Sequence, residues 1–276
     1  MFEYFLNFLG YRFFQNALIG GSISALSCSL IGLFVILRRE SMIGDGVAHV
    51  SFGGIAIGLF LGVNPLYTAL IVAVIAVLSI SYMKKKGLAE SDSATAVILA
   101  VGFSTGLIII SLAGGFNVEL FSFLFGSILT ISQTDLILVT LLGVTSLILV
   151  VLFYKELLSI TFDAQASRLI GIPVNLLSNV FSILVAITIV LSIKVVGMIL
   201  VTALLVLPGL SALQLDMSFK KTAIMSVIFG VGSVIVGIFT SAIIDVATSG
   251  IIVFTLVLVL ITVSSAVRLT RTNDQA

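Results

Sequence analysis

The sequence is poor in the residues that build water-facing surfaces, disulfides and catalytic clusters. Its 276 residues include one histidine, one cysteine, three prolines and no tryptophan, and only 9% are charged. A soluble domain has about 25% charged residues, so this chain cannot cover a water-facing surface. The lone Cys28 excludes an intrachain disulfide. A net charge of +1 gives no basis for nucleic-acid binding.

Hydrophobic residues fill most of the chain instead. They make up 60% of the sequence, and the mean hydropathy is +1.34. A transmembrane helix needs about 20 apolar residues. The sequence therefore predicts an all-α integral membrane protein in which residues 1–276 form one transmembrane domain. We expect about nine spans, with eight possible if helices are broken between 174 and 213, at 17–37, 43–63, 66–82, 94–112, 135–153, 174–193, 195–213, 222–244 and 251–267.

Three further segments are not predicted to cross the membrane. Residues 1–15 are rich in phenylalanine and suit an interfacial segment, and 119–129 suit a re-entrant or interfacial helix. Residues 154–173 form the longest polar loop, and Phe162, Ala166 and Leu169 there have helical spacing.

Lys194, between the sixth and seventh spans, predicts a tight turn. Glycines four residues apart, at 54, 58 and 62 and at 102 and 106, predict close approach of neighbouring helices.

The basic residues are distributed unequally between the two sides of the membrane. With nine alternating spans, eleven lysines and arginines fall on the side that carries residues 38–44, 83–93, 154–173 and 214–221 and the C-terminus. Only Arg12 and Lys194 fall on the other side. Cytoplasmic loops carry the excess of basic residues, so the first side is predicted to be cytoplasmic.

The only histidine lies four residues after an aspartate at the start of the second span. Asp45 and His49 would share one face of a helix. An oxygen and a nitrogen ligand on one face form a possible half-site for a divalent transition metal, and ionisable groups in a span are usually functional. The alternative is a structural hydrogen-bonded pair, with Asp45 capping the helix.

Six motifs occur in an order that resembles a known family, the membrane permeases of ABC importers for zinc, manganese or iron. The motifs are LRRESM–GDGVAH at 37–49, ESD at 90–92, LFGSIL at 124–129, FD to GIP at 162–173, VVG to LP at 195–208, and DVATSG at 245–250. Each motif is weak alone, but six in order on a matching hydropathy pattern are specific. The stretches at 64–67 and 118–129 look closest to the zinc-uptake branch.

The resemblance implies a homodimer in the prokaryotic cytoplasmic membrane, with two cytoplasmic ATP-binding subunits and an extracytoplasmic metal-binding protein. Two copies would bring four ligands, Asp45 and His49 from each, around a two-fold axis. The expected cargo is zinc, alternatively manganese or iron, with no permanently bound cofactor. The chain has no Gly-Lys pair and hence no Walker A motif, so it is not expected to be an enzyme, and ATP hydrolysis would belong to a separate subunit.

Other polar residues have competing interpretations. Glu90 and Asp92 could line the pathway or simply favour the positive end of a helix dipole. Asp245 could attract cations at the outer mouth or serve a turn. The loop at 154–173, with Asp163, Arg168 and Gly171, could be the coupling helix that docks on the ATPase or an ordinary interfacial helix.

One alternative function belongs to a different class. Asp45 and His49 could relay protons or bind cations in a secondary transporter or channel that needs no ATPase. The long cytoplasmic loop favours the ATP-driven importer, and the sequence shows no internal repeat of the kind common in secondary transporters. An intramembrane enzyme has no support, because one histidine and no HExxH motif leave no catalytic constellation.

Overall fold

The computed structural model describes residues 10–115, 118–126 and 131–273, and these residues are helical with short connections. In chain order the helices are α1 (Arg12–Leu37), α2 (Met42–Leu61), α3 (Pro65–Lys85), α4 (Ser91–Leu112), α5 (Val118–Phe125), α6 (Gln133–Leu152), α7 (Tyr154–Phe162), α8 (Ala164–Leu169), α9 (Val174–Val196), α10 (Met198–Leu213), α11 (Phe219–Ile244) and α12 (Thr248–Asn273).

Eight of the described helices are long and apolar enough to cross a membrane, which confirms the all-α membrane fold. They are α1, α2, α3, α4, α6, α9, α11 and α12. The remaining predicted span, the seventh at 195–213, is α10, which has 16 residues and a length of about 24 Å at 1.5 Å per residue. That length is below the roughly 30 Å of a bilayer core.

The break before α10 differs from the prediction. Lys194 was expected to be the turn, but it lies in the last turn of α9, and the chain breaks at Gly197. Gly197 has a φ of +86°, a conformation that L side chains rarely adopt. The backbone requirement therefore sets the break at the glycine rather than at the charge. Lys194 instead places its Nζ 5.1 Å from the Phe123 ring centroid.

The core of the bundle surrounds α1 and α9. Helix α1 packs against α6, α9, α10 and α11, while α2 packs mainly between α3 and α4. Most of α1, α2 and α9 is buried, whereas most of α4 and α12 is exposed within the protomer. The exposed faces carry large apolar side chains, as lipid-facing or subunit-facing surfaces do.

Two predicted segments lie partly outside the described residues. The interfacial segment at 1–15 is described only from residue 10, and its last residues already belong to α1. The short helix expected at 119–129 is seen as α5, and residues 127–130 lie outside the described part. Leu120 and Phe123 of α5 are buried against the bundle.

Candidate metal site

Helix α2 exposes a single polar stripe near its start. From Ile43 to Ala56 every residue is buried except Asp45 and His49, whose side chains are 44% and 29% exposed in the protomer. Met42, one turn before, is also exposed. Because α2 begins just after the basic connection at 38–41, the stripe lies toward the end of the helix that is predicted to be cytoplasmic. The predicted pairing of these two side chains on one helix face is therefore present.

The geometry of the pair indicates which imidazole nitrogen is free. His49 Nδ1 lies 2.9 Å from the backbone oxygen of Asp45 and 3.3 Å from its Oδ1 atom. A carbonyl oxygen can only accept a hydrogen bond, so Nδ1 must carry the proton in the neutral ring. Nε2 then keeps its lone pair, which is the state that a metal-binding histidine requires.

Close packing holds α2 in place beside its neighbours. The His49 ring meets the Phe103 ring of α4 edge-on, with 5.3 Å between centroids. A Cβ on Gly53 would run into the carbonyl oxygen of Gly102, and one on Gly54 would lie 2.7 Å from Ala69 Cα of α3. The glycines therefore bring α3 and α4 onto α2 and fix the direction in which the Asp45–His49 stripe faces.

The other predicted pathway residues do not join this pair. No group of three or more histidine, cysteine, aspartate or glutamate side chains comes together in the described ranges. Glu90 and Asp92 are exposed at the start of α4, where Glu90 makes no side-chain cap hydrogen bond. Asp245 lies at the far end of α11, as its C-cap, with a φ of +57°. Within one protomer, the candidate site thus consists of one carboxylate and one imidazole.

Residues 154–173 form two short helices rather than one. Asp163 separates α7 from α8 and caps α8, since its Oδ1 accepts hydrogen bonds of 2.9 Å from the backbone nitrogens of Gln165 and Ala166. Gly171, at a φ of +87°, follows α8. Leu157 and Ile160 of α7 are buried, but three other apolar side chains do not pack inward: Phe162 is 72% exposed, Leu169 89% and Ile170 73%. The segment therefore offers an apolar surface that its own protomer leaves uncovered.

The sequence interpretation gave Lys84 and Lys85 only a role in topology and Arg168 a role in coupling, and it missed the cavity that these residues line. Arg38, Lys84, Lys85 and Arg168 line a cavity of about 320 Å³ beside α7 and α8. The Arg38 guanidinium lies 4.5 Å from the Phe181 ring centroid, and burial lowers the pKa of Arg38 below its usual value, with Glu40 partly opposing the shift. The one available signal was that these residues fall in loops on the same predicted side.

Comparison with known proteins is consistent with the fold and the sequence motifs. The model of the ABC 3 transport family matches residues 10–267. The manganese transport system membrane protein MntC of Halalkalibacterium halodurans is 33% identical over 91% of this chain and 86% of its own length. The manganese import system permease protein ScaB of Streptococcus gordonii is 30% identical over 90% and 89%. A chain of the solved PsaBC structure from Streptococcus pneumoniae, in complex with Fab, superposes with a TM-score of 0.85 at 29% identity and 95% coverage of both chains.

Proposed function

The chain belongs to the ABC 3 transport family as a multi-pass membrane permease of a metal ABC importer, and we propose that it imports manganese as one half of a homodimeric pathway. In this proposal residues 1–276 act as one permease domain in the prokaryotic cytoplasmic membrane. The chain itself is not catalytic in this family, and ATP hydrolysis is assigned to a separate subunit.

The observation that carries the site proposal is the exposed Asp45–His49 stripe on an otherwise buried stretch of α2. Its carboxylate and the Nε2 atom of its imidazole are both available as ligands. One protomer supplies too few ligands to hold a divalent ion against water. Two copies related by a two-fold axis would supply two imidazoles and two carboxylates. The metal passes through this site as cargo and is not a resident cofactor.

Manganese is proposed over zinc because relatives at 33% and 30% identity are named for manganese. The donor set agrees with this choice, since carboxylate, imidazole and water suit manganese and no thiolate is present at the pair. The sequence-based preference for zinc has no support from the comparisons. Four nitrogen and oxygen ligands would also suit zinc, and iron is the third cargo that the sequence implied. The assay described below separates these metals.

Two kinds of partner are proposed from the family. A cytoplasmic ATP-binding subunit would dock on α7 and α8, where Phe162, Leu169 and Ile170 are exposed. Arg168 lies in the last turn of α8, and Gly171 follows that helix. An extracytoplasmic metal-binding protein would deliver the ion to the opposite side. Exposed apolar side chains at a membrane protein's cytoplasmic end are typical of a protein contact, which supports the coupling role over a free polar loop.

Pathway roles for Glu90, Asp92 and Asp245 are the remaining part of the proposal. Glu90 and Asp92 start α4, which packs on α2, so they stand near the same end of the helices as Asp45. Asp245 would meet cations at the opposite end. All three side chains are exposed and could contact a hydrated ion without a large desolvation cost.

The test is transport by the purified permease reconstituted with its ATP-binding subunit in vesicles. We expect ATP-dependent uptake of manganese, with ATPase activity stimulated by the metal-loaded binding protein. Zinc and iron uptake, measured in parallel at matched free concentrations, should be lower. Metal uptake that continues without ATP would instead identify a secondary transporter or channel, and uptake of zinc alone would restore the zinc assignment.

A further inference from the structure

The cytoplasmic end of the bundle contains a basic cavity for which metal transport has no evident use. Four cations from three separate parts of the chain line it: Arg38 after α1, Lys84 and Lys85 at the end of α3, and Arg168 in α8. Among the described residues, Glu40 is the only acidic one in the lining, and it forms an ion pair with Lys84. The lining therefore has a formal charge of about +3, since four cations face one carboxylate.

Three of the cations form no ion pair in the described part of the chain, although Glu40 interacts electrostatically with Arg38. Arg38 donates from Nε to Thr161 Oγ1 at 3.4 Å, Lys85 donates to Asn179 Oδ1 at 3.2 Å, and Arg168 contacts Asn175 Oδ1 at 3.5 Å. Among the described residues, none of these three forms an ion pair. Neutral side-chain oxygens stabilise a cation less than an anion does. The charges are thus gathered without being neutralised.

Arg38 provides a second and independent observation in favour of an anion site. Its Nη2 atom is buried and has no hydrogen-bond partner within the described part of the chain. A buried, unsatisfied donor on a charged group is costly, and native structures seldom leave one without a bound water, ion or ligand. Phe181 covers one face of the guanidinium, so its remaining N–H groups at the edge are the ones left to donate.

A helix start adds a further positive contribution. Val174, Asn175 and Ser178, in the first turns of α9, line the same cavity. The N-terminus of a helix carries a partial positive charge and favours anions. Ser81 and Ser182 add hydroxyl groups. The cavity volume of about 320 Å³ falls in the usual range for small-ligand pockets, about 300–1,000 Å³.

We propose that this cavity, built by Arg38, Lys85, Arg168 and the start of α9, binds a phosphate group at the cytoplasmic surface of the membrane. The phosphate can come from the headgroup of an anionic phospholipid or from a phosphate ion in the cytosol. Both present the same acceptor oxygens to the same donors. The position of the cavity at the basic ends of the spans is where lipid phosphates lie. A phosphate here would link α8, which is part of the proposed coupling segment, to the ends of α1 and α3.

The experiment compares two double variants of equal charge change. Lys85→Gln with Arg168→Gln removes two cations from the cavity, and both side chains are exposed, so the fold should persist. Lys86→Gln with Lys155→Gln removes two exposed cations from the same side of the protein outside the cavity. Thermal melting of each purified protein establishes that it is folded before binding is measured.

Binding is measured by native mass spectrometry with phosphatidylglycerol and with phosphatidylcholine, and by calorimetric titration with inorganic phosphate. We expect the wild type to retain phosphatidylglycerol or phosphate. The cavity variant should bind about tenfold more weakly for each cation removed, as for other charge-assisted hydrogen bonds. The control variant should stay within about twofold of the wild type, on the scale of a contribution from screened surface charges.

The lipid and inorganic-phosphate measurements show which source supplies the phosphate, and each remaining result counts against the proposal. Preference for phosphatidylglycerol with no binding of free phosphate identifies the lipid, and the reverse identifies the soluble ion. Equal loss in both double variants would show a diffuse charge effect and overturn the site. The wild type could also bind no phosphate while the cavity variant alone loses the ATP-binding subunit. That result would show that a carboxylate of that subunit fills the cavity.

Discussion

At the scale of single residues, the hydrogen bond at Nδ1 orients the imidazole of His49, the proposed metal ligand. The 2.9 Å contact between Nδ1 and the Asp45 carbonyl oxygen fixes both the tautomer and the ring orientation. The Phe103 ring then limits the movement of the imidazole on the side facing α4. Metal-binding histidines are commonly oriented in this way by a second group, and loss of the orientation lowers metal affinity about 10–100-fold.

The first prediction concerns the two ligand side chains. His49→Ala and Asp45→Asn should each reduce manganese affinity by about tenfold or more and abolish uptake, because each removes a direct ligand. Both variants should remain folded, since these side chains are partly exposed and His49→Ala removes one ring contact, with Phe103. Metal binding to the purified protein, its thermal unfolding and uptake by the reconstituted complex are the measurements.

Ser79→Ala is the matched control for this prediction. Ser79 lies on α3, next to α2, and its hydroxyl bonds only to its own helix, at Ile75 O. Its loss should leave affinity and uptake unchanged. If the pair were merely structural, His49→Ala would lower the melting temperature while the folded fraction still transported manganese, and that result would remove the metal-site assignment.

At the scale of helices, the contact between α2 and α4 depends on glycine. Gly53 faces the Gly102 carbonyl, and a Cβ on Gly106 would lie 2.9 Å from Gly53 Cα. Gly53→Ala should therefore push the two helices apart and lower the free energy of unfolding by about 1–3 kcal/mol, the usual effect of overpacking. It should also move His49 relative to Phe103 and weaken metal binding.

A second glycine provides the control for the helix contact. Gly232, in α11, has no atom within 4 Å of its hypothetical Cβ. Gly232→Ala should leave the protein as stable as the wild type or more stable by about 0.5–1 kcal/mol, because alanine restricts the unfolded chain. The measurement is thermal unfolding of Gly53→Ala and Gly232→Ala in the same detergent. Equal changes in stability would show that the contact between α2 and α4 is not tight.

The glycine spacing was a partial guide to these contacts. Gly54 and Gly58 face α3, and Gly102 and Gly106 face α2, as their four-residue spacing predicted. Gly62 shares the spacing but ends α2 in the left-handed conformation, at a φ of +68°, with open space around it. A sequence period does not show where a helix stops, so it could not separate a packing glycine from a capping one.

The third prediction tests the coupling segment. Gly171 has a φ of +87° and donates its backbone N–H to Arg168 O at 3.1 Å. Proline holds φ near −65° and has no N–H, so Gly171→Pro should distort the end of α8. We expect transport to fall at least about tenfold while ATPase activity persists. The reason is that conformational changes of the ATP-binding subunit would no longer be passed to the permease.

Gly87→Pro is an unusually close control for this change. Gly87 also has a positive φ, of +66°, and donates to Lys84 O at 3.1 Å in another turn on the predicted cytoplasmic side. Gly87→Pro should lower the stability to a similar extent, but its transport should remain coupled to ATP hydrolysis. Equal transport in the two variants would contradict the docking role of residues 154–173.

At the scale of the whole molecule, the sequence predicts the position and order of the long helices better than the contacts between them. Hydropathy located every long span, and the spacing of Asp45 and His49 predicted their shared face, because both depend on local periodicity. The Phe103 contact and the Arg38 cavity were not predicted, since they join residues far apart in the chain. The turn is predicted at Lys194 but lies at Gly197, because the sequence shows the charge and does not show the positive φ of the glycine.

The last prediction concerns the assembly, because one protomer holds only half of the proposed metal site. Purified permease should bind one manganese ion per two chains, since in the proposed site four ligands from two Asp45–His49 pairs would surround one ion. A mixed dimer with one His49→Ala chain should bind manganese about tenfold or more weakly, although its other pair is intact. Differently tagged chains, tandem affinity purification and metal analysis give this measurement. One ion per chain, or wild-type affinity in the mixed dimer, would show that each protomer holds its own metal and that the shared site is wrong.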